Sequence, residues 1–262
     1  MSQLSRAAPL AAEDRDGDHP RDAGGEIDMA MAEGSAPARS MLEAIVREAG
    51  LAQGAGDCLP VDRLAELAAS IDSANYYAEH MVRANACSDK YELLAEALAA
   101  RSCNGLVAEF GVYEGRTINF IADQTTEPVF GFDCFEGLPE DWRPGFPRGT
   151  FSRDVPEVRA NVSLVVGLFE DTLPAFLALT RGDMSLIHID CDLYSSTRTV
   201  LRACAPRIRR GTVLVFDEYF NYPGWRGHEY KAFQQFVAES GRTYEYLSVV
   251  PSHQQVAVVI TG

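Results

Sequence analysis

The chain is predicted to be a doubly wound α/β domain, with a mostly parallel sheet of seven strands and an N-terminal helical cap. Three observations lead there. From Gly105 onward short apolar runs alternate with helical stretches, the pattern of strands joined by right-handed helical crossovers. Two of those runs close on acidic groups, Asp190-Cys191-Asp192 and Asp217-Glu218. A Gly-x-x-x-Gly turn, from Gly111 to Gly115, follows the first run.

The elements follow in order. Residues 1–38 are rich in Ala, Asp, Gly and Arg, show no stable period, and are expected to form a disordered leader. Within it, the charge run from Asp14 to Asp18 lacks the glutamate that closes an EF-hand loop, so it reads as a solvated tail. Residues 39–104 form the expected helical cap. Ser40 and Glu43 make a capping box for a first helix. A second helix spans about Val61 to Ser70, and a third runs from about Ser73 to Ala100 with a break near Asn85 to Ser88, where helix formers thin out.

Residues 105–262 carry the sheet. Strands are expected at Leu106 to Phe110, Val129 to Asp133, Val162 to Gly167, Ser185 to Asp190 and Thr212 to Asp217. Helices lie between them at Arg116 to Asp123, Leu173 to Thr180 and Ser195 to Ile208. A helix near Glu229 to Ser240 precedes two late strands, Tyr244 to Val250 and Gln255 to Ile260, whose short Pro251-Ser252-His253 link predicts an antiparallel hairpin.

Composition narrows the function. A formal net charge of −15 argues against nucleic-acid or anionic-membrane partners, since both need a positive field. No apolar stretch is long enough to span a bilayer. The start lacks a secretory core, and six scattered cysteines form no CxxC pair. Reduced thiols and a cytoplasmic location are the expectation.

Carboxylates at the ends of buried strands need something to offset their desolvation and mutual repulsion. Singly, such acids are ordinary helix caps. Two sets on two strand ends instead suit a hard divalent metal, because strand carboxyl ends face the ligand crevice of an open sheet. Glycines 111 and 115 let backbone amides approach a ligand, and Asp133, closing the second strand, is placed to accept the hydroxyls of a ribose. His188 shares the pleat side of Asp190 and reads as a buried, hydrogen-bonded histidine. The long polar-aromatic loop from Leu138 to Pro147 reads as a lid, and the loop from Tyr222 to Glu229 as a pocket wall or a cap on the sheet.

Five blocks in order carry a family resemblance: Glu109 to Thr117, Phe132 to Pro139, Gly167 to Pro174, His188 to Thr197, and Val215 to Tyr219. Together, over about residues 75–260, they resemble class I S-adenosylmethionine-dependent methyltransferases of the macrocin O-methyltransferase group, which includes mycinamicin and novobiocin sugar O-methyltransferases. The resemblance implies a Rossmann-like methyltransferase fold. It implies a donor held by Glu109, Gly111, Gly115, Thr117, Asp133, Gly167, Phe169 and Asp190. Phe169 also reads as a plain core aromatic. It further implies magnesium on Asp190, Asp217 and Glu218, with Asp192 as general base; the roles of Asp190 and Asp192 are exchangeable. Glu218 stands where the group more often has Asp, and Cys191 where Gly is frequent.

The expected reaction is metal-dependent methyl transfer to a hydroxyl of a small molecule, a sugar or glycoside diol, which chelates through adjacent oxygens. The resemblance also makes a homo-oligomer an option, through N-terminal helices, although no heptad seam is visible. Two rival readings stand: a nucleotide-dependent oxidoreductase, which would want Gly-x-Gly-x-x-Gly, and a catalytically inactive S-adenosylmethionine-binding relative, against which the intact acids speak.

Overall fold

The structure is a computed structural model that describes residues 60–262. The predicted leader and the helix opening at Ser40 lie outside the described residues. The first described helix, α1 (Val61–Tyr76), passes through the position near Ser70 where the sequence predicts a stop. Tertiary partners override weak local propensity there. Ser73 Oγ donates to the Ala69 carbonyl at 2.7 Å and accepts from Asn221 N at 2.9 Å. Tyr76 meets the Tyr246 hydroxyl at 2.7 Å. A π-helical turn, Tyr77–Met81, follows.

The expected break near Asn85 is a strand. β1 (Asn85–Ala86) pairs in parallel with β7 (Tyr244–Val249), so the sheet has eight strands where the sequence predicts seven. Two residues carry no readable alternation; only their sheet partner defines them. α2 (Lys90–Ala100) is capped by Asp89, whose side chain accepts from Tyr91 N at 2.8 Å and Glu92 N at 3.0 Å.

The remaining elements follow the predicted alternation: β2 (Leu106–Phe110), α3 (Arg116–Asp123), β3 (Val129–Asp133), β4 (Val162–Val166), α4 (Phe169–Leu179), β5 (Met184–Ile189), α5 (Tyr194–Cys204), β6 (Val213–Phe216), α6 (Glu229–Ser240), β7 and β8 (Val256–Ile260). α4 begins four residues before the predicted Leu173 and carries Pro174 as its sixth residue, inside the helix. Strand order is β1-β7-β8-β6-β5-β2-β3-β4. β8 runs antiparallel to both β6 and β7, as the late hairpin predicts. No helix among the described residues is long and apolar enough to cross a membrane.

Two apolar layers sandwich the sheet. On β6, Leu214 and Phe216 join one layer and Val213 and Val215 the other. β2 lies between β5 and β3, and the chain winds outward from it in both directions, which opens a crevice at its carboxyl end. Gly111 sits there with φ +91°, and a Cβ at that position would overlap the Asp190 carbonyl oxygen. Gly111→Ala therefore combines left-handed strain with overpacking and should destabilise the protein by about 3 kcal/mol. Urea denaturation reads this directly; an unchanged midpoint would contradict the close approach.

Candidate active site

A cleft of about 330 Å³ opens at the carboxyl ends of β2, β5 and β6. Its walls include Gly111, Asp133, Phe169, Asp190, Asp192, Asp217 and Glu218 from the predicted set. Glu109, Gly115, Thr117 and Gly167 do not line it. Glu109 is fully buried and accepts from Thr117 Oγ1 at 3.1 Å. Gly115, at φ +75°, supplies the turn that starts α3.

Asp133 organises the loop after β2. Its Oδ2 accepts from Val112 N at 2.8 Å and Tyr113 N at 2.9 Å, and its Oδ1 accepts from Phe135 N at 2.8 Å. Both lone pairs of Oδ2 are thus used, and Oδ1 keeps one for a ligand. Phe169, the first residue of α4, packs edge-on against Phe110 at 5.5 Å and also faces the cleft. It serves core and cleft at once.

The acidic half is built on register. Glu109 and His188 are direct partners on the parallel strands β2 and β5, so their side chains lie together on one face. His188 Nδ1 is 2.8 Å from Glu109 Oε2, and His188 Nε2 is 3.8 Å from Asp217 Oδ1, too long for a hydrogen bond but close enough for an ion pair. Burial works against the imidazolium, yet the flanking Asp217 and Glu109 hold its pKa up to about 10. Burial likewise pushes the Asp217 carboxyl up, but His188 and Lys90 outweigh it and keep its pKa at about 2. His188, Asp190 and Asp217 each offer an atom within 4.8 Å of the others, a grouping that does not include Glu218.

Asp192 follows the end of β5 with φ +61°, a conformation that costs a non-glycine residue about 1–3 kcal/mol and marks functional sites. It is only 8% exposed. Burial, then Asp217, raises its pKa to about 7, and Arg143 opposes the rise. Burial and neighbouring carboxylates also push Asp190 and Glu218 well above the ordinary carboxylate range.

Several residues were missed by sequence reasoning. Lys90, the first residue of α2, reaches into the cleft and places Nζ 3.6 Å from Asp217 Oδ1. Its only signal was one lysine after a capping aspartate. Glu229 opens α6 fully buried and accepts from Glu218 N at 3.1 Å, while its other oxygen has no partner. In sequence it is an ordinary first-turn acid. Arg143, on the predicted lid loop, stacks its guanidinium over Trp142 at 3.9 Å and Tyr222 at 4.7 Å, which ties that loop to the one after β6.

Known proteins share this fold. Residues 108–219 match the family described as a methyltransferase domain. A relative from Streptomyces olivaceus, 8-demethyl-8-(2,3-dimethoxy-alpha-L-rhamnosyl)-tetracenomycin-C 4'-O-methyltransferase, is 28% identical over 157 residues, which cover 50% of this chain. The match spans 59% of that relative's length. The O-methyltransferase NovP superposes with a TM-score of 0.53 at 19% identity, over 66% of this chain and 80% of its own. CalS11, a calicheamicin methyltransferase, gives 0.53 at 20% identity, over 91% and 99%. Identities this low establish a common fold. Residues 108–219 thus resemble a methyltransferase domain, and the fold around them is the Rossmann-like one of NovP and CalS11.

Proposed function

We propose that the protein moves a methyl group from S-adenosylmethionine to a hydroxyl oxygen of a small sugar-type acceptor, with magnesium held on the acidic side of the cleft. The observation that carries the metal is a charge deficit. Asp190, Asp192, Asp217, Glu218 and Glu229 crowd together, faced by His188, Lys90 and Arg143. Asp217 Oδ1, Glu218 Oε2 and Glu229 Oε1 are buried without hydrogen-bond partners. Orphaned carboxylate oxygens are the donor set of a hard divalent cation, so the residues fit magnesium. Asp190 and Asp217 are the ligands we propose, with Glu218 joining them. Glu carries one more methylene than the Asp commoner there, which shifts its oxygens by about one C–C bond.

When bound, the metal supplies Lewis acidity that lowers the pKa of the reacting hydroxyl. Asp192 takes the hydroxyl proton. With a pKa of about 7 it is deprotonated often enough to act as a base and basic enough to be effective. Asp133 orients the ribose of the donor through its remaining lone pair. Trp142, Phe146 and Arg143 wall the acceptor side and keep water out. The sugar-type acceptor is supported by the Streptomyces relative, whose name specifies a hydroxyl on a rhamnosyl group. The methyltransferase reading holds over the oxidoreductase one, because the matched domain is a methyltransferase domain.

Two predictions test these roles. Asp133→Ala removes a carboxylate that both shapes the donor loop and faces the ligand, and should weaken S-adenosylmethionine binding by roughly 1.5–3 kcal/mol. Calorimetry showing wild-type affinity would remove Asp133 from the site. In chelator-stripped protein, Asp192→Asn should lower kcat about 10²–10⁴-fold while the magnesium dependence stays where it is. Asp217→Asn and Asp190→Asn should instead shift that dependence to higher magnesium and recover activity there. Rescue of Asp192→Asn by magnesium, with Asp190→Asn refractory, would exchange the roles of base and ligand.

A further inference from the structure

We infer that Lys90 is a resident counter-cation of the metal site, a positioning residue whose ammonium must leave Asp217 before a divalent ion binds. The inference rests on the metal-dependent reading above and names the residue that sets the metal affinity.

The two oxygens of Asp217 have different neighbours. Oδ2 accepts from Gln255 Nε2 at 3.0 Å. Oδ1 is buried and accepts no hydrogen bond, yet two cationic nitrogens face it: His188 Nε2 at 3.8 Å and Lys90 Nζ at 3.6 Å. His188 is wholly enclosed and held from behind by Glu109 at 2.8 Å, so it stays. Lys90 differs in every respect. Its side chain is 33% exposed, it lines the cleft, and its charge sits on a flexible four-carbon stem. The backbone beneath it is pinned, because Asp89 caps α2 and Glu92 accepts from Ser88 N at 2.6 Å. Only the side chain is free to swing.

A magnesium–oxygen bond is about 2.0–2.1 Å long, so an ammonium facing the same oxygen competes for its lone pairs. Like charges repel strongly in a poorly solvated cleft. Asp190 and Glu218 feel the same ammonium. Without metal, Lys90 offsets part of the carboxylate repulsion and stabilises the site; with metal, it has to turn away toward the open side. It comes from α2, outside the matched residues 108–219.

The test uses the full chain, stripped with chelator, and Mn²⁺ as the probe, its binding followed by electron paramagnetic resonance. Lys90→Met should bind Mn²⁺ about tenfold or more tighter than wild type, since a competing charge is gone. Lys90→Arg keeps the charge and should stay within about threefold of wild type. The metal-free Lys90→Met protein should also melt lower than wild type and gain more from added Mn²⁺. Unchanged or weaker Mn²⁺ binding in Lys90→Met overturns the inference while leaving the metal reading intact. A loss of S-adenosylmethionine affinity in that variant, without any change toward Mn²⁺, would make Lys90 a donor ligand and overturns it too. Absence of Mn²⁺ binding in every variant, Lys90→Met included, refutes the metal reading itself, and this inference with it.

Discussion

His188 sits between two carboxylates where water does not reach, hydrogen-bonded to Glu109 at 2.8 Å and paired with Asp217 at 3.8 Å. A buried imidazolium is costly unless both sides compensate it, and removing either partner would leave an uncompensated charge. Glu109 is tied in turn to Thr117 on α3, which starts at the Gly115 turn. Asp217 is tied to Gln255 beside β8. One buried polar chain thus runs beneath the cleft floor from the start of α3 to the acidic edge. The crevice geometry depends on it, because it fixes the relative position of β2, β5 and the end of β6.

Above that chain the cleft holds more carboxylates than cations. Proteins do not keep such groups together for stability; each raised carboxyl is a cost that folding meets elsewhere. The cost falls on Asp190, Asp192, Glu218 and Glu229, all pushed up by burial first; Asp217 comes second for Asp190, Asp192 and Glu218, and Asp192 for Glu229. Asp217 alone is held down, because His188 and Lys90 face it. Asp192 bears backbone strain as well. Strain, desolvation and unpartnered oxygens coincide within a few residues, and a ligand that brings positive charge relieves two of the three. The aromatic loops that carry Trp142 and Tyr222, linked by Arg143, close the opposite wall.

Much of this was readable in the sequence, for identifiable reasons. β2, β3, β5 and β6 are short apolar runs with turn residues at their ends, and the alternation with amphipathic helices leaves few other folds. Gly111, Asp133 and the strand-end acids were readable as residues of one crevice because a turn glycine and acids at strand ends fall at the carboxyl edge of a parallel sheet, where the structure places them. What escaped depends on tertiary neighbours. β1 is two residues long and exists only through β7. α1 continues to Tyr76 because Asn221 and Tyr246 reward it. Glu109 and Thr117, implied as donor contacts by resemblance, turn inward onto each other, a choice made by the His188 register partner. Lys90 and Glu229 enter the cleft from elements distant in sequence, so no local pattern flags them.

If a divalent cation binds as proposed, it must displace any protons held by the raised Asp190 and Glu218 carboxyls. Metal ligands must be deprotonated, so binding releases protons. Calorimetric titration of the chelator-stripped protein with magnesium at about pH 6.5, in two buffers of different ionisation enthalpy, measures this directly. The account predicts binding heats that differ between the buffers, with net proton release, because burial and neighbouring carboxylates hold the Asp190 and Glu218 carboxyls well above their usual range. Magnesium binding with a buffer-independent heat, or no binding at all, would contradict it.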